Sequence, residues 1–224
     1  MSRLLKPRTV WVFAALVSLL APSAFAQVGQ NPLDRPELRK FWNPRVGKGA
    51  VYERVENDSG KKTVNMEIQT VGKESVGGKE AYWIEFAFET PEMKGTSYGK
   101  SLIVFGETHP RRTIFQFPGM SAMEMPSGST SRSNLKMQDL RKVGTETVTV
   151  PAGTFTCEHW KSGDSDLWVS AKVSPFSVVK EVSKGTTEVL VKTVENATDH
   201  ITGPVKPFDA KVFMQYMAEQ KGKN

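Results

Sequence analysis

Apolar and polar positions alternate with period two along most of the chain. In EAYWIEFAFET (80–90), Tyr82, Ile84, Phe86 and Phe88 fall on one face, and Ala81, Trp83, Glu85, Ala87 and Glu89 on the other. That spacing predicts a strand whose aromatic face must be covered. Lys62–Lys73 alternates in the same way, with Val64, Met66 and Ile68 set against Asn65, Glu67 and Gln69. Strand patterns also run through 50–56, 98–106, 112–117, 143–150, 154–161, 166–170, 176–183 and 186–195. Within 154–161 the spacing sets Phe155 and Cys157 on one side and Trp160 on the other, and Pro91–Thr96 reads as a loop.

Turn residues separate these runs, among them Asn57-Asp58-Ser59-Gly60, Val76-Gly77-Gly78, Pro151-Ala152-Gly153 and Lys184-Gly185. Connections this short predict antiparallel pairing, because a parallel crossover needs a dozen residues or more. The period changes only at the C-terminus. There Asp209 is placed to cap a helix, and Val212, Phe213, Tyr216 and Met217 recur at helical spacing, which predicts an amphipathic helix over 209–220. The expected fold is mainly β (α+β), a strongly curved antiparallel sheet or half-open β-barrel with a C-terminal amphipathic helix. That helix is long enough to lie across the aromatic face.

The N-terminus reads as a separate segment. Residues 1–26 carry a basic start (Arg3, Lys6, Arg8), an apolar run from Val10 to Leu20 and an Ala24-Phe25-Ala26 cleavage site, the pattern of a signal peptide. The apolar run is roughly half of the ~20 residues that a membrane-spanning helix needs. No cysteine stands at the cleavage point to take a lipid anchor. Residues 27–45 are expected to be an irregular arm and 46–224 a single β-rich domain. The expected location is periplasmic or secreted, with no membrane span once the signal is removed.

Removing the signal changes the charge. The chain has 30 Lys and Arg; without Arg3, Lys6 and Arg8, 27 remain against 24 Asp and Glu. No basic run exceeds Lys61-Lys62 or Arg111-Arg112, so nucleic acid is not an expected partner. The single cysteine, Cys157, rules out an internal disulfide, and the fold must rest on its own core. Export without disulfides points to a bacterial envelope.

Candidate chemistry is sparse. Cys157 and His159 are spaced to share a strand face, a possible nucleophile and base, but a small thiol beside Phe155 is more often core filling. His109, His159 and His200 are scattered, no zinc-binding, phosphate-binding or hydrolase motif occurs, and no cofactor is expected. Between the two halves, Pro118–Leu140 carries Met120, Met123, Met125 and Met137 beside a Ser/Gly-rich tract. It reads as a surface loop, as an adaptable apolar lid or as a Cu(I) site, since thioethers are soft ligands.

Four stretches carry a resemblance: VPAGTF at 150–155, the CEHW strand at 157–160, DLWVS at 166–170 and PFSVVK at 175–180. Together they resemble the C-terminal half of bacterial envelope proteins related to the lipoprotein-carrier (LolA/LolB-like) superfamily. The resemblance implies a half-open antiparallel barrel, closed on its concave side by helices, that shelters acyl chains or other apolar ligands. It carries over no individual site residue. On these grounds the expected function is non-catalytic binding of a lipid, lipoprotein or other apolar ligand on the concave face. The candidate binding residues are Tyr82, Ile84, Phe86 and Phe88, with Met123 and Met125 as a lid. The alternative is a structural module of the envelope with a filled core, which holds a protein partner by its loops or a sheet edge.

Overall fold

The computed structural model describes residues 40–90, 93–105, 107, 109–126 and 140–221. The signal segment, residues 27–39 of the arm and the stretch containing Met137 lie outside the described residues. In chain order the elements are β1 (Lys48–Glu56), β2 (Lys62–Val76), β3 (Lys79–Thr90), β4 (Met93–Val104), β5 (Arg112–Gln116) and β6 (Met123–Glu124). After these come β7 (Leu140–Val150), β8 (Gly153–Ser162), β9 (Ser165–Val169), β10 (Val178–Ser183), β11 (Thr186–Glu195), β12 (Lys206–Pro207) and α1 (Ala210–Lys221).

All twelve strands belong to one sheet in the order β12-β6-β5-β4-β3-β2-β1-β11-β10-β9-β8-β7. Two antiparallel meanders, β1–β6 and β7–β11, are joined edge to edge by the pairing of β1 with β11. Among the described residues only the short β12–β6 pair is parallel, which makes the sheet mixed. Its two ends do not pair, so the sheet is not closed into a barrel. The end of β7 comes back over β10 and β11, where Ala152 N donates to Leu190 O at 3.3 Å.

The concave face holds the main core. Tyr52, Ile68, Ile84, Phe155, Cys157, Trp160, Leu167, Val179 and Leu190 meet there, all buried. Tyr52 donates its hydroxyl proton to Val178 O at 3.0 Å. Phe155, Cys157 and Trp160 are all buried, and β8 pairs with β9 without a register shift, Trp160 standing opposite Leu167. The register of β7 with β8 slips between Lys142 and Gly144, leaving Val143 as an extra, exposed residue on β7. A bulge of this kind twists the pair.

One end of the concave face is plugged from outside the sheet. Trp42 packs edge-on to Tyr82 with ring centroids 6.3 Å apart and against Phe176 at 5.2 Å. Asn43 N donates to Pro175 O at 2.7 Å, and the Arg45 guanidinium donates to Lys172 O at 2.7 Å. These bonds fix the β9–β10 connection over that end. At β3–β4, the segment expected to be a loop continues as strand from Met93, because pairing along the whole of β3 overrides its local turn signals.

Candidate functional site

The aromatic face of β3 faces inward as its alternation requires, but its four residues lie in two settings. Ile84 is 1% exposed and belongs to the main core, with Tyr82 and Phe86 packed against it. Phe88 belongs to a second buried cluster with Phe117 and Met123, against which Phe86, Phe115, Met120, Phe208, Phe213 and Tyr216 pack. Register explains how the rings reach across strands. Phe86 stands opposite Gly99 on β4, and Gly99 opposite Phe115 on β5. With no β-carbon at position 99, the Phe86 and Phe115 rings approach over the β4 backbone to a centroid distance of 6.0 Å.

The second cluster is roofed by α1. Asp209 caps the helix as its position predicts, its Oδ1 accepting from Lys211 N at 2.9 Å and Val212 N at 3.1 Å. Phe213 and Tyr216 lie over Phe117 at centroid distances of 5.5 and 6.0 Å. Val212, assigned by spacing to the apolar face, is instead 48% exposed. Beside it opens a cleft of about 840 Å³ lined by Gly119, Met120, Ser121, Met123, Lys206, Pro207, Phe208, Asp209, Ala210 and Val212.

Met123 is thus both part of the buried cluster and a wall of the cleft. Met125 is half-buried, ties its backbone N–H to Thr113 O at 2.9 Å and is not among the lining residues. Ser97, opposite Phe88 in register, is 1% exposed, and its hydroxyl has no hydrogen-bond partner among the described residues.

A polar cluster lies on the other face of the same strands, and the sequence reading passed over it. Glu85 is fully buried there. Its Oε1 accepts from Gln69 Nε2 at 2.8 Å and lies 2.6 Å from His200 Nδ1, while its Oε2 accepts from the His200 backbone at 3.1 Å. Burial pushes the Glu85 carboxyl above the usual carboxylate range, with the bonds from His200 and Gln69 pulling the other way. Tyr98 stacks on His200 with centroids 4.6 Å apart. Lys100 pairs with Asp199 and donates to Ile201 O at 2.9 Å. The one sign of this cluster in the sequence is a carboxylate set between Trp83 and Ala87 on the outer face.

Cys157 and His159 are not brought together as nucleophile and base. The thiol is fully buried, and burial, with the Glu146 charge adding, pushes it up to about 11. The His159 ring stacks on Trp168 and places Nε2 at 2.6 Å from Asp166 and Nδ1 at 3.1 Å from Glu146. Both of its nitrogens therefore face carboxylates. Among the described residues no group of three or more His, Cys, Asp or Glu is placed to hold a metal ion.

No protein-family model and no curated protein matches the sequence. Among solved structures, one match is a "putative lipoprotein" of Parabacteroides distasonis, 15% identical, covering 68% of this chain and 97% of that one at a TM-score of 0.39. Another is a "putative exported protein with YmcC-like fold" of Bacteroides fragilis, 13% identical, covering 69% of this chain and 99% of that one at a TM-score of 0.39. No residue or activity is carried over from either.

Proposed function

We propose that the protein is an exported, non-catalytic binding protein of the bacterial envelope that holds one acyl chain, of a lipid or a lipoprotein, in the cleft beside the first turn of its C-terminal helix. The observation that carries the reading is the cleft itself. At about 840 Å³ it is in the size range of ligand sites, its walls include Met120, Met123, Pro207, Phe208 and Val212, and its floor continues into the Phe88–Phe117 cluster. Methionine side chains repack readily around chains of differing length.

This reading confines the ligand to the Phe88 end of the aromatic face. Tyr82 and Ile84 are taken up by contacts with Trp42 and the main core, and a chain could replace them only by unpacking the interior. The signal-like segment at 1–26 and the resemblance to the lipoprotein-carrier superfamily support the envelope location. Among the described residues no helix is long and apolar enough to cross a membrane.

Val212→Glu tests the assignment, because it puts a charge in the cleft wall at a half-exposed position outside the core. The variant keeps wild-type stability and loses bound acyl chains; full retention of the chains contradicts the site. A second reading draws on the near-complete burial of Ile84 and Phe88 and on the largely exposed end strand β7. In it the concave face is only core, and the protein holds a protein partner along that edge.

A further inference from the structure

The chain after β11 uses both faces of the sheet. Residues 197–202 cross the outer face, where His200 meets Glu85, Asp199 meets Lys100, and Ile201 packs against Ile114 and Ala122. The chain then rounds the edge as β12, with Lys206 N donating to Ala122 O at 2.9 Å and Phe208 N to Glu124 O at 3.0 Å. Beyond Phe208 it enters the inner face as α1, whose Phe213 and Tyr216 lie on Phe117. Alternation along β3 fixes this assignment, since Glu85 and Phe86 are neighbours in sequence and point to opposite sides.

The two arms are held unequally. On the outer face Ile201 of the arm is 3% exposed, and the partly exposed Asp199 and His200 bond to Lys100 and Glu85, which are buried in the sheet. On the inner face no residue from 210 to 220 is buried; Phe213 and Tyr216 are half-buried and the rest of the helix is half-buried or exposed. A helix of 12 residues does not persist by itself in water, so α1 keeps its form only while docked. The phenylalanine–aspartate step at 208–209 joins the last backbone tie to the sheet with the first residue of the cap.

We infer that α1, whose first turn walls the cleft through Ala210 and Val212, is a lid at the side of the cleft that swings about Pro207–Asp209, and that residues 197–202 are its anchor, fastened to the opposite face of the sheet by Glu85–His200 and Lys100–Asp199. This rests on the cleft being the ligand site and names how the ligand enters it. Opening costs the contacts of two half-buried aromatic rings, while the anchor and the main core stay in place. The remote fastening sets how far the lid stands open: slack at Asp199 is passed through Ile201 and β12 to the hinge.

Amide hydrogen exchange on the full mature chain tests this without any ligand. The lid predicts exchange of residues 210–221 by local opening, at least about tenfold faster than that of β2 and β3. Phe213→Ala speeds α1 alone. Asp199→Asn, on the other face, speeds both 197–208 and α1 by about tenfold, the worth of one charge-assisted hydrogen bond. Protection of α1 equal to that of β3, or wild-type exchange of α1 in Asp199→Asn, overturns the inference. If Asp199→Asn loosens every strand, Phe213→Ala decides alone. Anilinonaphthalene sulfonate separates the two ideas: fast α1 exchange without dye binding upholds the lid and removes the binding site, and dye binding under a rigid α1 does the reverse.

Discussion

The Phe86 ring crosses β4 at Gly99 so closely that a β-carbon there would stand 2.4 Å from its Cε2 and 2.9 Å from the Cε1 of Phe115. Gly99→Ala must therefore turn both rings, and overpacking of this kind costs about 1–3 kcal/mol. Phe86→Ala, which empties a site between the two clusters, costs about 3 kcal/mol, toward the lower end for a phenylalanine. The double variant loses less than the sum, because alanine at 86 removes the ring that alanine at 99 would strike. Urea unfolding of the four proteins reads the coupling; strict additivity would mean that the rings do not meet as described.

Cys157 reports on the core by its reactivity. With its pKa pushed up to about 11 and the thiol buried, it stays silent to a disulfide reagent at pH 8 in the folded protein and reacts with one equivalent on unfolding. The linked stability is fully present below the ordinary thiol value, about 8.5, and is lost as pH rises through about 11. Prompt reaction of the folded protein would place the residue at the surface.

Glu85 gives a pH dependence of defined sign. Because burial raises its carboxyl, the folded state binds the proton more tightly than the unfolded chain does. Its stabilising share is therefore complete below the ordinary carboxylate value, about 4.3, and is lost as pH rises through the elevated one. Glu85→Gln removes that slope while keeping a polar partner for Gln69 and His200. Glu85→Ala strands both and costs about 1–3 kcal/mol more than the glutamine variant near neutral pH. Unfolding by urea across a pH series distinguishes these outcomes, and an unchanged slope in Glu85→Gln would show that another group titrates.

Much of this was legible in the sequence. The bounds of β11, Thr186–Glu195, and the cap at Asp209 follow directly from period-two alternation and from capping chemistry. The two-residue strands β6 and β12 have no period to read. Alternation along β3 separated Glu85 from Phe86 correctly but could not tell that the outer face is also covered. The cover is a non-repeating segment with one buried aliphatic, Ile201, brought there from 115 residues away at the His200–Glu85 contact. The cleft was hidden for a related reason: its walls come from 119–123 and 206–212, two stretches that only the edge pairing of β12 with β6 brings together. Of the predicted stripe Phe213 and Tyr216 do meet the sheet, while Val212, at its margin, is left exposed, because helical spacing defines a stripe and not how much of it the partner covers.

Native mass spectrometry of the mature protein, purified from its own envelope and followed by solvent extraction, shows whether the cleft holds an acyl chain. The expected result is one acyl-chain species per protein, released on unfolding and missing from Val212→Glu. A bare protein mass from the native source would contradict it and favour the edge-binding module, and a stoichiometric copper adduct would assign the methionines of 120–125 to metal instead.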